Sequence, residues 1–169
     1  MSGQVLVAFG TKHGSTREVA HSIAVTLREH DLVVKCLSAS EVDDVSGFDG
    51  VVIGGALHMG RLHPAVRAFM HRNRLGLSRL PVAVFAMGPR TLEPKEVETS
   101  LGQLNHALAK EPELAPFAIA IFGGVFDPRT ASFPFNRMPA SDARDWDAIG
   151  EWAGEVAGVF ATARVPVAV

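Results

Sequence analysis

Residues 9–16, Phe-Gly-Thr-Lys-His-Gly-Ser-Thr, put three hydroxyls, a lysine, a histidine and two glycines into one short stretch. It follows an apolar run and precedes an amphipathic pattern, so it falls where a strand gives way to a helix. The first N–H groups of a helix lack intrahelical acceptors and, with the helix dipole, attract anions. A dianionic phosphate suits such a turn: Thr11, Ser15 and Thr16 offer hydroxyls, Gly14 lets the backbone approach, and Lys12 and His13 add polar reach. Ser and Thr are also preferred helix caps, so the same residues describe a capped turn that needs no ligand. The spacing is neither GxGxxG nor GxxxxGK[ST], which removes the main support for dinucleotide and P-loop readings. The preceding strand ends at Gly10 without a carboxylate, so a phosphoacceptor site is not indicated either.

A second chemical feature is charge. Residues 50–92 contain six arginines (61, 67, 72, 74, 79 and 90) and no Asp or Glu, although the whole chain has a net charge of only −2. Either these arginines form a solvated face balanced by acidic neighbours in space, or they meet an anionic partner. On the second reading, Arg61 and Arg90 flank a mouth for carboxylates or phosphates, while Arg67, His71 and Arg74 form a more distant patch.

These residues are positioned by a simple alternation. Five nearly continuous apolar runs, 4–10, 32–38, 50–56, 81–88 and 117–124, read as strands covered on both faces. Between them lie helical patterns at 16–29, at 64–75 and around Val97, Leu101, Leu104 and Leu108. A last helix has Trp146, Ile149, Val156, Val159 and Phe160 facing inward and Ser141 as its cap. The segment between the second and third runs has room for one helical turn or two. The expected fold is α/β: a doubly wound three-layer sandwich around a five-stranded parallel sheet, one domain spanning residues 1–169. The only long irregular stretch, 123–141, contains three prolines and three phenylalanines and reads as a loop packed on the body near the ligand mouth.

Ligands of such sheets sit beyond the carboxyl ends of the strands. The residues to read together are therefore 11–16 with Ala56, Leu57, His58, Met59 and Gly60, with Met87, Gly88, Pro89 and Arg90, and with Phe126 and Asp127. His58 either donates a hydrogen bond to a reduced ring or substrate, or simply hydrates a loop. Met59 and Met87 are adaptable packing residues before they are ligand contacts. Asp127 and Arg129 stabilise a turn or form part of a substrate lid. No metal site is expected.

Composition excludes several classes. The 47% hydrophobic fraction supports a full core, and the near-neutral charge gives no global case for nucleic acid. A single cysteine, Cys36, and a start without a basic leader point to a reducing cytoplasm. No apolar stretch approaches the ~20 residues of a membrane span; peripheral membrane contact remains compatible with the sequence.

The turn at Thr11, Gly14, Ser15 and Thr16 resembles the hydroxyl-rich TxTGxT loop by which flavodoxins hold the FMN phosphate. "VVIGGALHMGRLHPAVRAFM", residues 51–70, resembles the corresponding segment of the flavodoxin-domain family that includes the menaquinone-dependent protoporphyrinogen oxidases. The resemblance covers about residues 3–90, and more loosely the "GGVFDP" turn and the "DWDAIGEWAGEVA" helix. It implies a flavodoxin-like sheet of strand order 2-1-3-4-5, FMN with its phosphate on residues 11–16, and a ring between 55–60 and 86–90. It further implies backbone donors near N5 and N1, and electron or hydride transfer to a quinone-like or porphyrinogen-like substrate or a redox partner protein. The chain departs from the pattern in two ways. It has no Tyr, and both Trp residues lie in the last helix, so the usual aromatic sandwich around the ring is missing. It also has only 123–141 where that group carries a longer insertion. A deazaflavin of the F420 type, whose phosphate continues into an anionic tail, is therefore an alternative cofactor. A one-electron carrier and a cofactor-free interaction domain are alternative roles.

Overall fold

In a computed structural model of the chain, residues 3–163 are described. Met1 and Ser2, within the start read as leaderless, and residues 164–169, the tail of the expected domain, lie outside them. The elements in chain order are β1 (Gln4–Gly10), α1 (Ser15–Glu29), β2 (Val33–Ser38), β3 (Gly50–His58), β4 (Arg61–Leu62), α2 (Pro64–Arg72) and α3 (Arg74–Leu77). There follow β5 (Val82–Met87), α4 (Pro94–Leu108), β6 (Ala118–Phe122), β7 (Val125–Phe126), β8 (Ser141–Asp142) and α5 (Trp146–Ala163). The principal sheet runs β2-β1-β3-β5-β6, all parallel, with β4 paired antiparallel to β3. This is the expected 2-1-3-4-5 order once the short β4 is counted.

The apolar runs become strands because both faces are covered. Val5, Val7 and Phe9 of β1 face one core with α1 and α5, while Leu6 and Ala8 face the other with α2 and α4. The connections leaving β1 and β3 therefore go to opposite faces of the sheet. Their carboxyl ends, in register at Gly10 and Gly55, form the switch point where a ligand crevice opens. Among the described residues no helix is long and apolar enough to cross a membrane.

Several local expectations are corrected. The helix expected over 64–75 breaks at Asn73, which is buried and donates its side-chain amide to the Phe69 carbonyl at 3.1 Å. In α4 the buried stripe is Ser100, Leu104, Ala107 and Leu108, and Leu101 is exposed. Ser100 on this stripe packs near the Gly88 backbone: a Cβ on Gly88 would lie 3.2 Å from Ser100 Oγ. In α5, Ala153 and Ala157 replace Trp146 and Val159 on the inward stripe, the small residues letting α5 lie close on α1. Its cap is Asp145, whose Oδ1 accepts from the Ala148 N–H at 3.1 Å. Ser141 instead belongs to β8, which pairs with β7 and folds the long loop back on itself.

Candidate functional site

β1 delivers the chain to the first loop. Thr11 Oγ1 accepts from the Gly14 N–H at 2.8 Å, closing the loop, and Gly14 takes φ of 94°, a conformation costly for any residue with a Cβ. Its Cβ position faces open space. The helix begins at Ser15 with no side-chain cap, and its first internal bond runs from the Glu18 N–H to the Gly14 carbonyl. The N–H groups of Ser15, Thr16 and Arg17 are thus free of intrahelical acceptors. Thr16 is fully buried, and its hydroxyl has no hydrogen-bond partner. A capped turn would have used these hydroxyls on the helix itself. The observed loop leaves a buried hydroxyl and unpaired N–H groups together, a donor set that fits a phosphate. Lys12 and His13 are exposed at its lip.

The segment after β3 is a hairpin rather than the loop expected at 55–60. Leu57 pairs with Leu62 and His58 with Arg61, and the His63 N–H continues the ladder to the Ala56 carbonyl at 2.9 Å. Its two turn residues both have positive φ, 52° at Met59 and 77° at Gly60, the pattern of a two-residue hairpin turn. His58 and Met59 are exposed at its tip.

The return strand feeds directly into α2. His63 is the cap, its Nδ1 accepting from the Ala65 N–H at 3.1 Å, with Pro64 at the first helical position. That bond leaves Nε2 as the protonated nitrogen of the neutral ring. Burial, and secondarily the charge of Arg67, holds the His63 pKa below the usual imidazole value. The ring lies against β1: a Cβ on Gly10 would come within 2.8 Å of His63 Nδ1, so only glycine fits there. Arg67, one turn along, donates its Nε back to the Leu62 carbonyl at 2.9 Å.

Two recesses on either side of the hairpin take some of the expected ligand residues, while Phe126 and Asp127 line a third, and of the first loop only Lys12 borders either of the two. One, of about 440 Å³, lies between the first loop and the start of α2 and includes Lys12, Ala56, His58, Arg61, His63 and Arg67. The other, of about 530 Å³, lies toward α4 and includes Leu57, Gly60, Gly88, Pro89 and Arg90, with Glu93 and Glu96 among its walls. Met59 borders both. Met87, expected beside a ring, is instead enclosed in the α1/α5 core with Phe85 and Phe122.

Arg90 and Arg61 are not neighbours in one mouth. The Arg90 guanidinium lies over the Phe126 ring, 4.6 Å from its centroid, and donates toward Met138 and the Pro139 carbonyl. Asp127 caps the turn that follows it and pairs with Arg129 at 2.9 Å, the turn-stabilising alternative. Hydrogen bonds from Arg129 hold the Asp127 carboxyl below the usual carboxylate range, with a smaller contribution from His13 across the first loop.

The six arginines disperse. Arg72 donates to the carbonyls of Ala39 and Val42, and Arg74 to that of His71. Among the described residues none of the six is in an ion pair, although Arg90 shares a recess with Glu93 and Glu96, and Arg72 and Arg79 share one with Asp44. Helical spacing assigns Arg67 to the distant patch, whereas the structure brings it beside Arg61 in one recess. Sequence reasoning misses His63. Its signal is a histidine directly before Pro64, a cap preceding a proline at the first helical position.

Comparison with known proteins agrees with this architecture. The family model described as a flavodoxin domain matches residues 6–133. Protoporphyrinogen IX dehydrogenase [quinone] of Escherichia coli K12 is 22% identical over 123 residues, which cover 72% of this chain and 68% of that protein. Among solved structures, oxidised flavodoxin 1 of Bacillus cereus superposes with a TM-score of 0.60 at 16% identity, over 94% of this chain and 97% of its own. A point mutant of the flavodoxin from Pseudomonas aeruginosa gives 0.61 at 16% identity, over 94% and 99%. At these identities the structural likeness establishes the fold.

Proposed function

The chain belongs to the flavodoxin-domain family, and on that premise we propose that it binds FMN and acts as a flavin oxidoreductase toward a quinone-like or porphyrinogen-like molecule or a redox partner protein. One observation carries the reading: the uncapped start of α1, where the buried Thr16 hydroxyl and free N–H groups of the first turn lack partners. Bound FMN would supply reversible one- or two-electron transfer. The residues that would hold its phosphate are Thr11, Ser15 and Thr16, with Lys12 and His13 adding charge or hydrogen bonds at the lip. The hairpin residues 56–60 and the segment 88–90 would wall the ring and exclude water from it. Phe126, fixed by Arg90, would close the side of the long loop. His58, exposed at the hairpin tip, would donate a proton or hydrogen bond to a substrate arriving from solvent.

The disposition of the tryptophans favours a second reading. Trp152 packs with Phe85 and Phe122, one face of Trp146 is covered by Arg144, and neither lines the recesses beside the hairpin. A deazaflavin of the F420 type would need no such sandwich.

The test is titration of the purified protein with FMN, riboflavin and F420, followed by flavin fluorescence and absorption. The expected result is one-to-one quenching of FMN with an affinity at least about tenfold above that of riboflavin, a difference of about 1.4 kcal/mol for the phosphate. Equal affinity for riboflavin would overturn the phosphate assignment, and binding of F420 in place of FMN would select the second reading.

A further inference from the structure

The recess between the first loop and α2 gathers positive charge without an internal counter-ion. Lys12, Arg61 and Arg67 line it, and among the described residues no carboxylate does. None of the three is in an ion pair among the described residues. Arg67 is also anchored: its Nε is held by the Leu62 carbonyl, which orients the guanidinium plane while its terminal nitrogens make no described hydrogen bond. His63 contributes a neutral ring whose Nε2–H is a donor, because Nδ1 is committed to the Ala65 N–H. Like charges brought to one recess repel unless something neutralises them, and a guanidinium fork matches a carboxylate or phosphate.

The size and walls of the recess say more. A volume of about 440 Å³ lies within the usual range of small-molecule sites and far exceeds what a bare anion fills. Ala56, Leu62 and Pro64 give it apolar walls beside the cations. The recess shares Lys12 with the phosphate loop, and Ala56, His58 and Met59 with the hairpin that would flank a ring. We infer that it docks a substrate with an apolar body and an anionic end, carboxylate or phosphate, the anion held by Arg61 and Arg67. The inference rests on the FMN reading in one respect: the occupant is called a substrate because FMN would fill the neighbouring loop. A neutral quinone could accept hydrogen bonds from these groups but would leave their charge unneutralised.

The experiment measures binding of 1-naphthoate, 1-naphthyl phosphate and the neutral 1-naphthamide to FMN-saturated protein by calorimetry at several salt concentrations. The parent is compared with Arg61→Ala and Arg67→Gln. Expected are at least about tenfold tighter binding of one or both anions than of the amide, and a loss of about fivefold or more in each variant with a shallower salt dependence. FMN affinity should stay within about twofold of the parent in both variants. The preferred anion tells carboxylate from phosphate. Equal binding of naphthamide, or anion binding untouched by both substitutions, overturns the inference. If FMN fails to bind while the anions still bind through Arg61 and Arg67, the cofactor reading falls and the anionic recess stands. If F420 binds and loses affinity in Arg61→Ala, the recess holds a cofactor tail and the substrate inference falls.

Discussion

The guanidinium carbon of Arg90 sits 4.6 Å above the centroid of the Phe126 ring, joining the segment after β5 to the segment after β6. The main chain repeats the link: the Gly124 N–H donates to the Pro89 carbonyl at 2.9 Å, and the Ala143 N–H to the Gly124 carbonyl at 3.0 Å. The long loop is therefore fastened at its root, while Phe133 and Phe135 further out are exposed. A cation–π contact of this kind contributes roughly 0.5–2 kcal/mol, depending on desolvation. Arg90→Ala should lose about that much stability in urea unfolding. Amide exchange at Gly124 and Ala143 should accelerate while β1, β3 and β5 keep their protection. Arg90→Lys should restore only part of the effect, since an ammonium cannot lie flat on the ring. Unchanged exchange at those two amides would show that Arg90 does not hold the loop.

Thr16 offers a sharper contrast, because its side chain is buried and its hydroxyl unpartnered. Thr16→Val keeps the shape and removes a polar group that gains nothing from the protein around it. In the absence of ligand the substitution should be neutral or slightly stabilising. With FMN present it should weaken binding by about tenfold, the cost of a hydrogen bond to a charged group, about 1.5 kcal/mol. Thermal unfolding with and without FMN measures both terms. Destabilisation in the absence of ligand, with no change in FMN affinity, would place the hydroxyl in the packing of the loop instead of the cofactor site.

How far the site was legible depended on what each residue's neighbours demanded. The strands were, because residues 51–53 and Val82–Met87 are buried on both faces and so appear as unbroken apolar runs. The first loop was, because hydroxyls and glycine after a strand have few uses. The hairpin was not: its turn places Met59 at φ 52°, where turn chemistry would have asked for Asn, Asp or Gly. Arg67 is misplaced by helical spacing alone, which ignores that side chains lean toward the helix N-terminus and so carry Arg67 back to Leu62. The rotation of α4 was hidden for a similar reason. Ser100 joins the buried stripe close to Gly88, a tertiary proximity that helical spacing does not carry.

Met59 is a long side chain in a left-handed conformation, and it is 79% exposed, so little burial repays the backbone cost. A non-glycine residue there loses about 1–2 kcal/mol, less for Asn, whose side chain tolerates the region. Met59→Asn should therefore stabilise the protein by about 1 kcal/mol, raising Tm by about 2–4 °C. Gly60→Ala, at φ 77°, should act in the opposite direction. A neutral or destabilising Met59→Asn would mean that the methionine makes an interaction that outweighs its backbone strain, and ligand binding by the variant would then show whether that interaction belongs to the site.

His63 links the site to pH. Burial, and then Arg67, lowers its pKa in the folded protein below the usual value near 6.5. A depressed histidine is neutral when folded and more readily protonated when unfolded. Its contribution to stability is thus fully present above the unfolded pKa, and is lost as pH falls from about 6.5 through the folded value. Protonation at Nδ1 would also turn the acceptor of the Ala65 N–H into a donor and remove the cap of α2, an effect of about 1 kcal/mol. His63→Asn keeps a capping oxygen and does not titrate. Urea unfolding of parent and variant near neutral pH and near about pH 5.5 should show the parent losing more stability on acidification, by an amount on the order of that cap. Every other group is common to the two proteins, so the difference isolates position 63. Parallel losses would mean that His63 keeps its proton equilibrium on folding, and that the start of α2 is held by Pro64 and the hairpin rather than by the imidazole.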